Sequence, residues 1–289
     1  MKIKIIVNPN SNPRVVKKHL QEALRVLRRA HHRLSVVFTK GPGDAFWMAQ
    51  NAVKQGVDAV VTVGGDGTVN ETINGIVGHG IRFGILPLGG SNVLARELRI
   101  PIHLVRAAET IVKGTTRHID LGVINGRYFS MMASCGYDAY AVSRTSLKIK
   151  KIIRRYAYLW AGIKDFLGYR PTEIELILDN GKVMETGTFV VIGNTHYYGG
   201  THQVTPFAEI DDGFLDLCIY KGKKQLGLVR FALRMLWIQH LNMKNVKYYR
   251  IRKVEMMSRK KTLVQVDGDL LGELPMTTKI VPKALEIYC

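Results

Sequence analysis

A strand, a tight turn and a helix are predicted in that order for residues 58–77, which read DAVVTVGGDGTVNETINGIV. The first part is apolar and rich in β-branched residues, which favours a buried strand. Gly64, Gly65 and Gly67 surround Asp66, so the backbone can turn tightly there and come close to a ligand. A helix that begins at such a turn presents amide N–H groups suited to phosphate. The stretch therefore predicts a phosphate-binding turn, with an ordinary strand-to-helix turn as the alternative.

Three further apolar runs extend this pattern through the first part of the chain. They are IKIIV at 3–7, LSVVF at 34–38 and FGILPL at 83–88, and amphipathic stretches separate them. Strands that alternate with helices are typical of a mostly parallel sheet. Residues 1–120 are therefore predicted to form an α/β nucleotide-binding domain.

After Asp120 the pattern changes to short β-rich runs bounded by turn signals such as Asn125-Gly126. Such spacing is typical of antiparallel strands joined by hairpins. The sequence predicts a second, β-rich domain over 121–289, formed mainly of antiparallel strands. Its tail, about 280–289, is expected to pack back on the first domain.

The charge of the chain calls for an anionic partner. Forty-two Lys and Arg stand against 23 Asp and Glu, which gives a net charge of +19. Nucleotide, anionic lipid and nucleic acid all fit this charge, and solubility alone is the alternative. The three cysteines form no CxxC pair, so neither a disulfide framework nor a zinc site is indicated. Without an apolar run of about 18 residues, no membrane span is predicted and a cytoplasmic protein is expected.

Asp66 is the residue of the glycine-rich turn that phosphate binding alone does not explain. A carboxylate beside phosphate is repelled unless a cation lies between them, which points to Mg²⁺ carried by ATP. The turn has neither a GxxxxGK[ST] nor a GxGxxG pattern. Thr68 and Glu71 also have the spacing of a helix capping box, so a purely structural role stays open for both.

The motif GGDGTVNE resembles the lipid-kinase superfamily that contains bacterial diacylglycerol kinases and sphingosine kinases. Its glycine core is also similar to that of NAD kinases and phosphofructokinases, and the resemblance implies an N-terminal domain of that kind followed by a β-sandwich. The cofactors implied are ATP and Mg²⁺. The implied nucleotide-binding residues are Asn8, Pro9, Thr39, Gly64, Gly65, Asp66, Gly67, Thr68, Asn70, Glu71, Gly89, Gly90 and Asn92.

Three segments of the first domain carry this resemblance further. Asn8-Pro9 is similar to the family's opening nucleotide loop, although Ser-Gly usually follows it and Asn-Ser-Asn follows here. Thr39 resembles the threonine at which the family contacts ATP. The stretch ILPLGGSNVLAREL at 85–98 has Gly90 where the family has Thr. Its structural alternative is a tight turn before a helix that Ser91 or Asn92 caps. This stretch favours a lipid kinase over an NAD kinase.

Two acidic positions of the second half also resemble the family. Asp120 and Asp138 match its Asp-x-Gly and Gly-x-Asp positions, and turn or cap roles are the alternatives. The segment at 194–217 resembles the loop in which the family holds a structural Mg²⁺. The implied ligands are Glu209, Asp212 and the backbone of Phe214, while a plain β-turn at Asp212-Gly213 stays open.

A catalytic base is predicted close to the C-terminus. Phosphoryl transfer to an alcohol needs a carboxylate that accepts or orients the hydroxyl proton. The strand TLVQV at 262–266 leads into Asp267-Gly268-Asp269, which resembles the family's Asp-Gly-Glu with Asp269 in place of the usual proton acceptor. Asp is one methylene shorter than Glu, so the choice between Asp267 and Asp269 stays open, and a plain hairpin turn is the structural alternative.

Two basic helical segments are predicted to dock on an anionic membrane. Residues 144–164 hold seven basic and no acidic residues, and residues 221–261 hold thirteen basic residues against Glu255 alone. Both have an apolar face beside the charges, as interfacial helices do. The alternative is that each apolar face packs on the second domain and the charges are solvated.

Taken together, the residues and the resemblance predict an ATP-dependent lipid kinase, with diacylglycerol as the favoured acceptor, phosphatidic acid as product, and peripheral association with the inner face of the membrane. In this prediction Asp66 and Asp120 organise Mg²⁺. The alternatives are a kinase for NAD or another soluble acceptor, and a non-catalytic basic lipid-binding protein. Nucleic acid is disfavoured because no recognised motif accompanies the basic run at 244–253. A homodimer is left open.

Overall fold

The fold is taken from a computed structural model, which describes residues 1–144, 169–198, 200 and 202–289. Apart from its first residue, the predicted basic helix at 144–164 lies outside the described residues. Within the described part, no helix has the length and apolar character needed to cross a bilayer.

Helices and strands alternate in the first part of the chain, and strands dominate the rest. The helices are α1 (Pro13–Arg29), α2 (Asp44–Lys54), α3 (Asp66–Ile76), α4 (Val93–Glu97), α5 (Leu104–Lys113), α6 (Tyr137–Arg144) and α7 (Gln225–Met235). The first nine strands are β1 (Lys2–Val7), β2 (Arg33–Phe38), β3 (Ala59–Gly64), β4 (Arg82–Pro87), β5 (Thr116–Ile124), β6 (Arg127–Phe129), β7 (Met132–Cys135), β8 (Ile174–Leu178) and β9 (Val183–Gly187). The others are β10 (Phe189–Gly193), β11 (Tyr197–Tyr198), β12 (His202–Gln203), β13 (Leu215–Tyr220), β14 (Val246–Ile251), β15 (Lys253–Met257), β16 (Leu263–Val266), β17 (Asp269–Glu273) and β18 (Met276–Tyr288).

The chain divides into two compact units. One consists of Met1–Leu121 with Pro282–Cys289, and the other of Gly122–Val281. The chain passes from the first unit to the second within β5 and returns within β18.

The first unit is built on a parallel sheet with the strand order β2-β1-β3-β4. The C-terminal half of β18 adds to it, parallel to β4, where Ile287 pairs with Phe83. Every residue of β3 is buried, as expected for a central parallel strand covered on both faces. Since parallel strands end at one edge, the turns after β1, β3 and β4 meet there. The Asn8 N–H donates to the Val63 carbonyl at 2.8 Å, and the Leu88 N–H donates to the Gly64 carbonyl at 2.8 Å.

The second unit is a β-sandwich. One sheet is antiparallel with the order β14-β13-β10-β7-β16-β17, and β15, β8, β9 and the N-terminal part of β18 pair antiparallel to one another apart from it. Buried side chains of both layers form one core, which includes Val190, Leu217 and Val264 from the first and Leu176 and Val254 from the second. The predicted fold class, an α/β domain followed by a mainly antiparallel β-sandwich, is confirmed.

Candidate active site

Two glycine turns of the first unit press against each other at the edge of the sheet. Gly65 follows β3, and Gly89 follows β4. A Cβ atom on Gly89 would lie 2.8 Å from the Gly65 Cα, and one on Gly65 would lie 3.1 Å from the Gly89 Cα. The first distance is too short for a side chain and the second is tighter than an ordinary contact, so the glycines let the two backbones touch.

Asp66 links these turns by a hydrogen bond. Its Oδ1 accepts from the Val93 N–H, the first amide of α4, at 2.8 Å. Neither Ser91 nor Asn92 provides the side-chain cap of the structural alternative, because the capping carboxylate comes from a distant turn. Asn92 instead closes its own turn: its Oδ1 accepts from the Gly89 N–H at 2.7 Å, and its Nδ2 donates to the Gly89 carbonyl at 2.8 Å.

The N-terminus of α3 lies in the same place. The helix begins at Asp66. Its N-cap residue is Gly65, which has no side chain to cap the helix. The first amides of a helix have no carbonyl partner within the helix and attract anions. A Cβ on Gly67 would meet nothing within 4 Å. The space beside Gly67, in the first turn of α3, is therefore open.

Two polar side chains of α3, Thr68 and Glu71, bind neighbouring elements. Thr68 Oγ1 accepts from Asn8 Nδ2 at 3.0 Å, which ties the turn after β1 to the helix. Glu71 accepts from the Gly43 N–H at 2.9 Å and from the Ala45 N–H at 3.2 Å, so it binds the start of α2. The capping-box interpretation was wrong, because Thr68 is the third residue of α3 rather than its cap.

The other residues predicted to bind the nucleotide differ in burial: Thr39 and Asn70 are buried, and Pro9 is not. Thr39 is buried, and its N–H donates to the Val7 carbonyl at 2.9 Å, directly after β2. Asn70 is buried inside α3, where Asn74 Nδ2 donates to its carbonyl at 2.9 Å. Pro9 lies in the turn after β1, in which the Asn10 N–H donates to Asn8 Oδ1. The structure thus brings Asn8, the turn at 64–68 and the turn at 89–92 together.

The contact between the glycine turns makes a testable pair of substitutions. We expect Gly89→Ala to lower the free energy of unfolding by about 1–3 kcal/mol, because the new methyl group would meet backbone that cannot give way. Gly90→Ala is the matched control, since a Cβ there meets nothing within 4 Å. Urea unfolding of both variants measures the difference. Equal stabilities would contradict the close packing described here.

Asp120 is completely buried in the first unit. Its Oδ1 accepts from the Lys283 N–H at 2.7 Å, which holds the returning end of β18 beside β5. This contact gives Asp120 a structural role in the described residues. Its predicted part in organising Mg²⁺ stays a prediction.

In the second unit, the carboxylate of Asp267 accepts four hydrogen bonds from one short segment. Its Oδ1 accepts from the N–H groups of Met131 and Met132, at 3.1 and 2.9 Å. Its Oδ2 accepts from the N–H and the Oγ of Ser130, at 3.0 and 3.3 Å. The Asp267 N–H in turn donates to the Met132 carbonyl at 2.9 Å. The carboxylate therefore docks its hairpin turn onto residues 130–132.

Asp269 has a more open setting at the start of β17. Its side chain is 53% exposed and lies 3.7 Å from the Arg127 guanidinium. Asp267 and Gly268 form the turn before it with φ values of 48° and 87°, a left-handed pair that Asp-Gly adopts readily. The hairpin predicted as the structural alternative is thus present, and it presents Asp269 beside its anchored neighbour.

A buried polar network beneath this turn was not predicted from the sequence. Gln265 Oε1 accepts from the Gly268 N–H at 2.8 Å, and Gln265 Nε2 donates to Ser134 Oγ at 2.5 Å and to Asp138 Oδ2 at 3.3 Å. Asp138, at the start of α6, also accepts from the Ala139 N–H at 2.7 Å. The available signal was a lone glutamine inside the apolar strand TLVQV. The network supports the turn that carries Asp267 and Asp269.

The acidic loop at 209–214 contains the residues predicted to hold a structural Mg²⁺. Asp212 Oδ1 accepts from the Phe214 N–H at 2.9 Å, and its Oδ2 pairs with the Arg250 guanidinium. Glu209 is exposed, and the described residues contain no group of three or more His, Cys, Asp or Glu side chains placed to hold a metal. The Asp212 carboxylate is thus paired with a cation in this arrangement, and the structural Mg²⁺ at this loop stays a prediction.

Burial or hydrogen bonding shifts the pKa of two carboxyl groups, those of Asp216 in β13 and Asp44 in α2. Burial raises the pKa of Asp216, against the influence of Tyr248 and Arg250. The N–H groups of Lys40 and Gly41 bond to Asp44 and lower the pKa of its carboxyl group. Asp44 therefore stays ionised as the first residue of α2.

Comparison with known proteins places the chain in a family. Residues 2–124 match the model of the diacylglycerol kinase catalytic domain, and residues 131–289 match that of the YegS C-terminal NAD kinase beta sandwich-like domain. The chain is 32% identical over 276 residues to a diacylglycerol kinase of Bacillus subtilis, covering 94% of this chain and 91% of that protein. It is 27% identical over 287 residues to a diacylglycerol kinase of Staphylococcus aureus, covering 99% and 91%.

The fold agrees with these relationships. The crystal structure of a diacylglycerol kinase from Bacillus anthracis superposes with a TM-score of 0.78 at 22% sequence identity, covering 99% of this chain and 96% of that one. The two domains and their order define a kinase with an α/β catalytic domain followed by a β-sandwich. The chain belongs to the diacylglycerol kinase family, and the lipid-kinase resemblance found in the sequence is confirmed.

Proposed function

We propose that the protein transfers the γ-phosphoryl group of ATP to the hydroxyl of a membrane lipid, and that diacylglycerol is this lipid. The observation that carries the proposal is the pair of touching glycine turns at the end of the parallel sheet, joined by Asp66 and opened at Gly67. Relatives at 27–32% identity that are diacylglycerol kinases support the choice of acceptor.

The triphosphate is proposed to bind over the first turn of α3. The amides of residues 66–68 and the Asn8 side chain would hold phosphate oxygens there. Asp66 fits a role toward Mg²⁺ bound with ATP, because a carboxylate next to phosphate needs a bridging cation. The magnesium ion would neutralise charge on the transferring phosphoryl group.

The acceptor hydroxyl is proposed to lose its proton to Asp269. A bond forms between the lipid oxygen and the γ-phosphorus, the bond from that phosphorus to the oxygen of ADP breaks, and the proton passes to the carboxylate. Asp269 suits this role better than Asp267, since its side chain is half-exposed. The carboxylate of Asp267 already accepts four hydrogen bonds, so its proposed task is to position the turn.

A soluble-acceptor kinase is the second candidate, favoured by the NAD kinase-like description of the C-terminal family model. Offering γ-labelled ATP with diacylglycerol, a sphingoid base, NAD and sugars in parallel separates the two candidates. We expect label in phosphatidic acid and none in the NAD product. Label in NADP with none in any lipid would overturn the proposal.

A further inference from the structure

Helix α7 has an inner apolar face that holds it on the second unit. Leu228 and Phe231 are buried. The Phe231 ring lies 5.2 Å from the Tyr220 ring, 5.8 Å from Phe189 and 5.3 Å from His240, all measured between centroids. These contacts account for the attachment of the helix.

The same helix has an outer apolar face that these contacts do not use. Leu226 is 79% exposed and Leu233 is 54% exposed, and Val229 between them is also exposed. At 3.6 residues per turn these three side chains lie within about 60° of one another and roughly opposite Leu228 and Phe231. Membrane-surface helices carry such a face, whereas a helix with a solvated outer face is polar there.

The turn that follows α7 continues the exposed apolar surface. Leu236, Trp237 and Ile238 are consecutive and exposed, and Trp237 is exposed to 68%. Ile238 has φ 58°, a left-handed conformation that β-branched residues rarely adopt. A tryptophan with an apolar body and an N–H donor is suited to the boundary between headgroups and acyl chains.

The positive charge around the outer face of α7 indicates an anionic partner. Lys223 and Lys224 precede the helix, Arg230 and Arg234 lie on it, and the sequence contains no Asp or Glu from 221 to 254. Such a surface attracts anionic headgroups. It also opposes a second copy of the chain, which would bring the same positive charge against it.

We propose that the exposed side of residues 223–238, called here the α7 surface, docks on an anionic lipid bilayer. Its aliphatic side chains and Trp237 enter the acyl boundary while the basic side chains meet the phosphates. This docking does not depend on the kinase reaction, so it is measured without ATP and without diacylglycerol.

The test is flotation of the protein with vesicles of phosphatidylcholine, alone or mixed with phosphatidylglycerol. We expect binding to the mixed vesicles that weakens as salt is added. Trp237→Gln should lower the partition coefficient about tenfold, and each of Arg230→Gln and Arg234→Gln about fivefold at low salt.

Trp47→Gln is the matched control, because Trp47 is also 68% exposed but lies in α2 of the first unit. Met184→Gln serves in the same way for Leu226→Gln, with Met184 76% exposed in β9. Equal binding to both vesicle types, or equal loss in Trp237→Gln and Trp47→Gln, would overturn the proposal.

Two further outcomes would identify another occupant of the α7 surface. If Trp237→Gln lowers the melting temperature while Trp47→Gln does not, the surface is packed against the chain itself. If light scattering finds a dimer that Trp237→Gln dissociates, a second copy covers it. The proposed reaction is tested separately by phosphoryl transfer to a short-chain, water-soluble diacylglycerol. If that transfer is not observed, the proposed reaction fails, and the vesicle-binding result still stands.

Discussion

Replacing Asp269 by asparagine is expected to lower kcat by roughly 10²–10⁴-fold, the range that a general base contributes. The melting temperature should stay within error of the wild type, because the side chain is half-exposed and its partner Arg127 lies at 3.7 Å. Steady-state transfer of labelled phosphoryl to diacylglycerol, together with a thermal scan, measures both quantities.

Asp269→Glu is the control for this substitution. Glutamate is the residue that the family resemblance places here, and it restores the carboxylate with one more methylene. We expect activity close to that of the wild type. Full activity in Asp269→Asn, or an equal loss in the two variants, would remove Asp269 from the role of proton acceptor.

Asp267→Ala is expected to lower the free energy of unfolding by about 2–4 kcal/mol, because three backbone N–H groups and the Ser130 hydroxyl lose a charged acceptor. Alanine also adopts the left-handed conformation at φ 48° less easily than aspartate. Activity should fall together with stability, since the same turn carries Asp269.

Asp267→Asn removes the charge at this position and keeps a side chain of similar size and shape. Asparagine tolerates a left-handed backbone but keeps only one acceptor oxygen, so an intermediate loss of stability is expected. Urea unfolding curves of the wild type and both variants give the comparison. A stability of Asp267→Ala equal to the wild type would show that the hydrogen bonds to 130–132 do not hold the turn.

The sequence predicted the sheet of the first unit well, because its strands are continuous apolar runs. The run at 3–7 falls within β1, and the run at 34–38 falls within β2. The strand predicted for 58–63 is displaced by one residue, and β3 is Ala59–Gly64. The hairpin at Asp267-Gly268 was also predictable, since its left-handed φ values suit the turn chemistry of the two residues.

Contacts between distant segments were the part that local patterns could not predict. The spacing of Thr68 and Glu71 matches a capping box, but Thr68 bonds to Asn8 and Glu71 bonds to the start of α2. The cap of α4 comes from Asp66, which is 27 residues earlier in the chain. Each of these hydrogen bonds joins segments that are close only because of the order of strands in the sheet. That order cannot be predicted from the residues next to each other in the sequence.

The buried face of helix α7 could not be predicted from the spacing of its apolar residues. Leu226, Val229 and Leu233 have the spacing of a core face, and yet all three are exposed. Leu228 and Phe231 form the packing face instead, since Phe231 meets the aromatic rings of Tyr220 and Phe189. When a helix has two apolar faces, periodicity alone does not tell which one is buried.

The most direct test of the account follows label from γ-labelled ATP into diacylglycerol, with wild type and Asp269→Asn run side by side and ATP binding measured by calorimetry on both. We predict labelled phosphatidic acid from the wild type, a loss of roughly 10²-fold or more in the variant, and equal ATP affinity, because Asp269 acts on the acceptor. A wild type that binds ATP but labels no lipid would contradict the account.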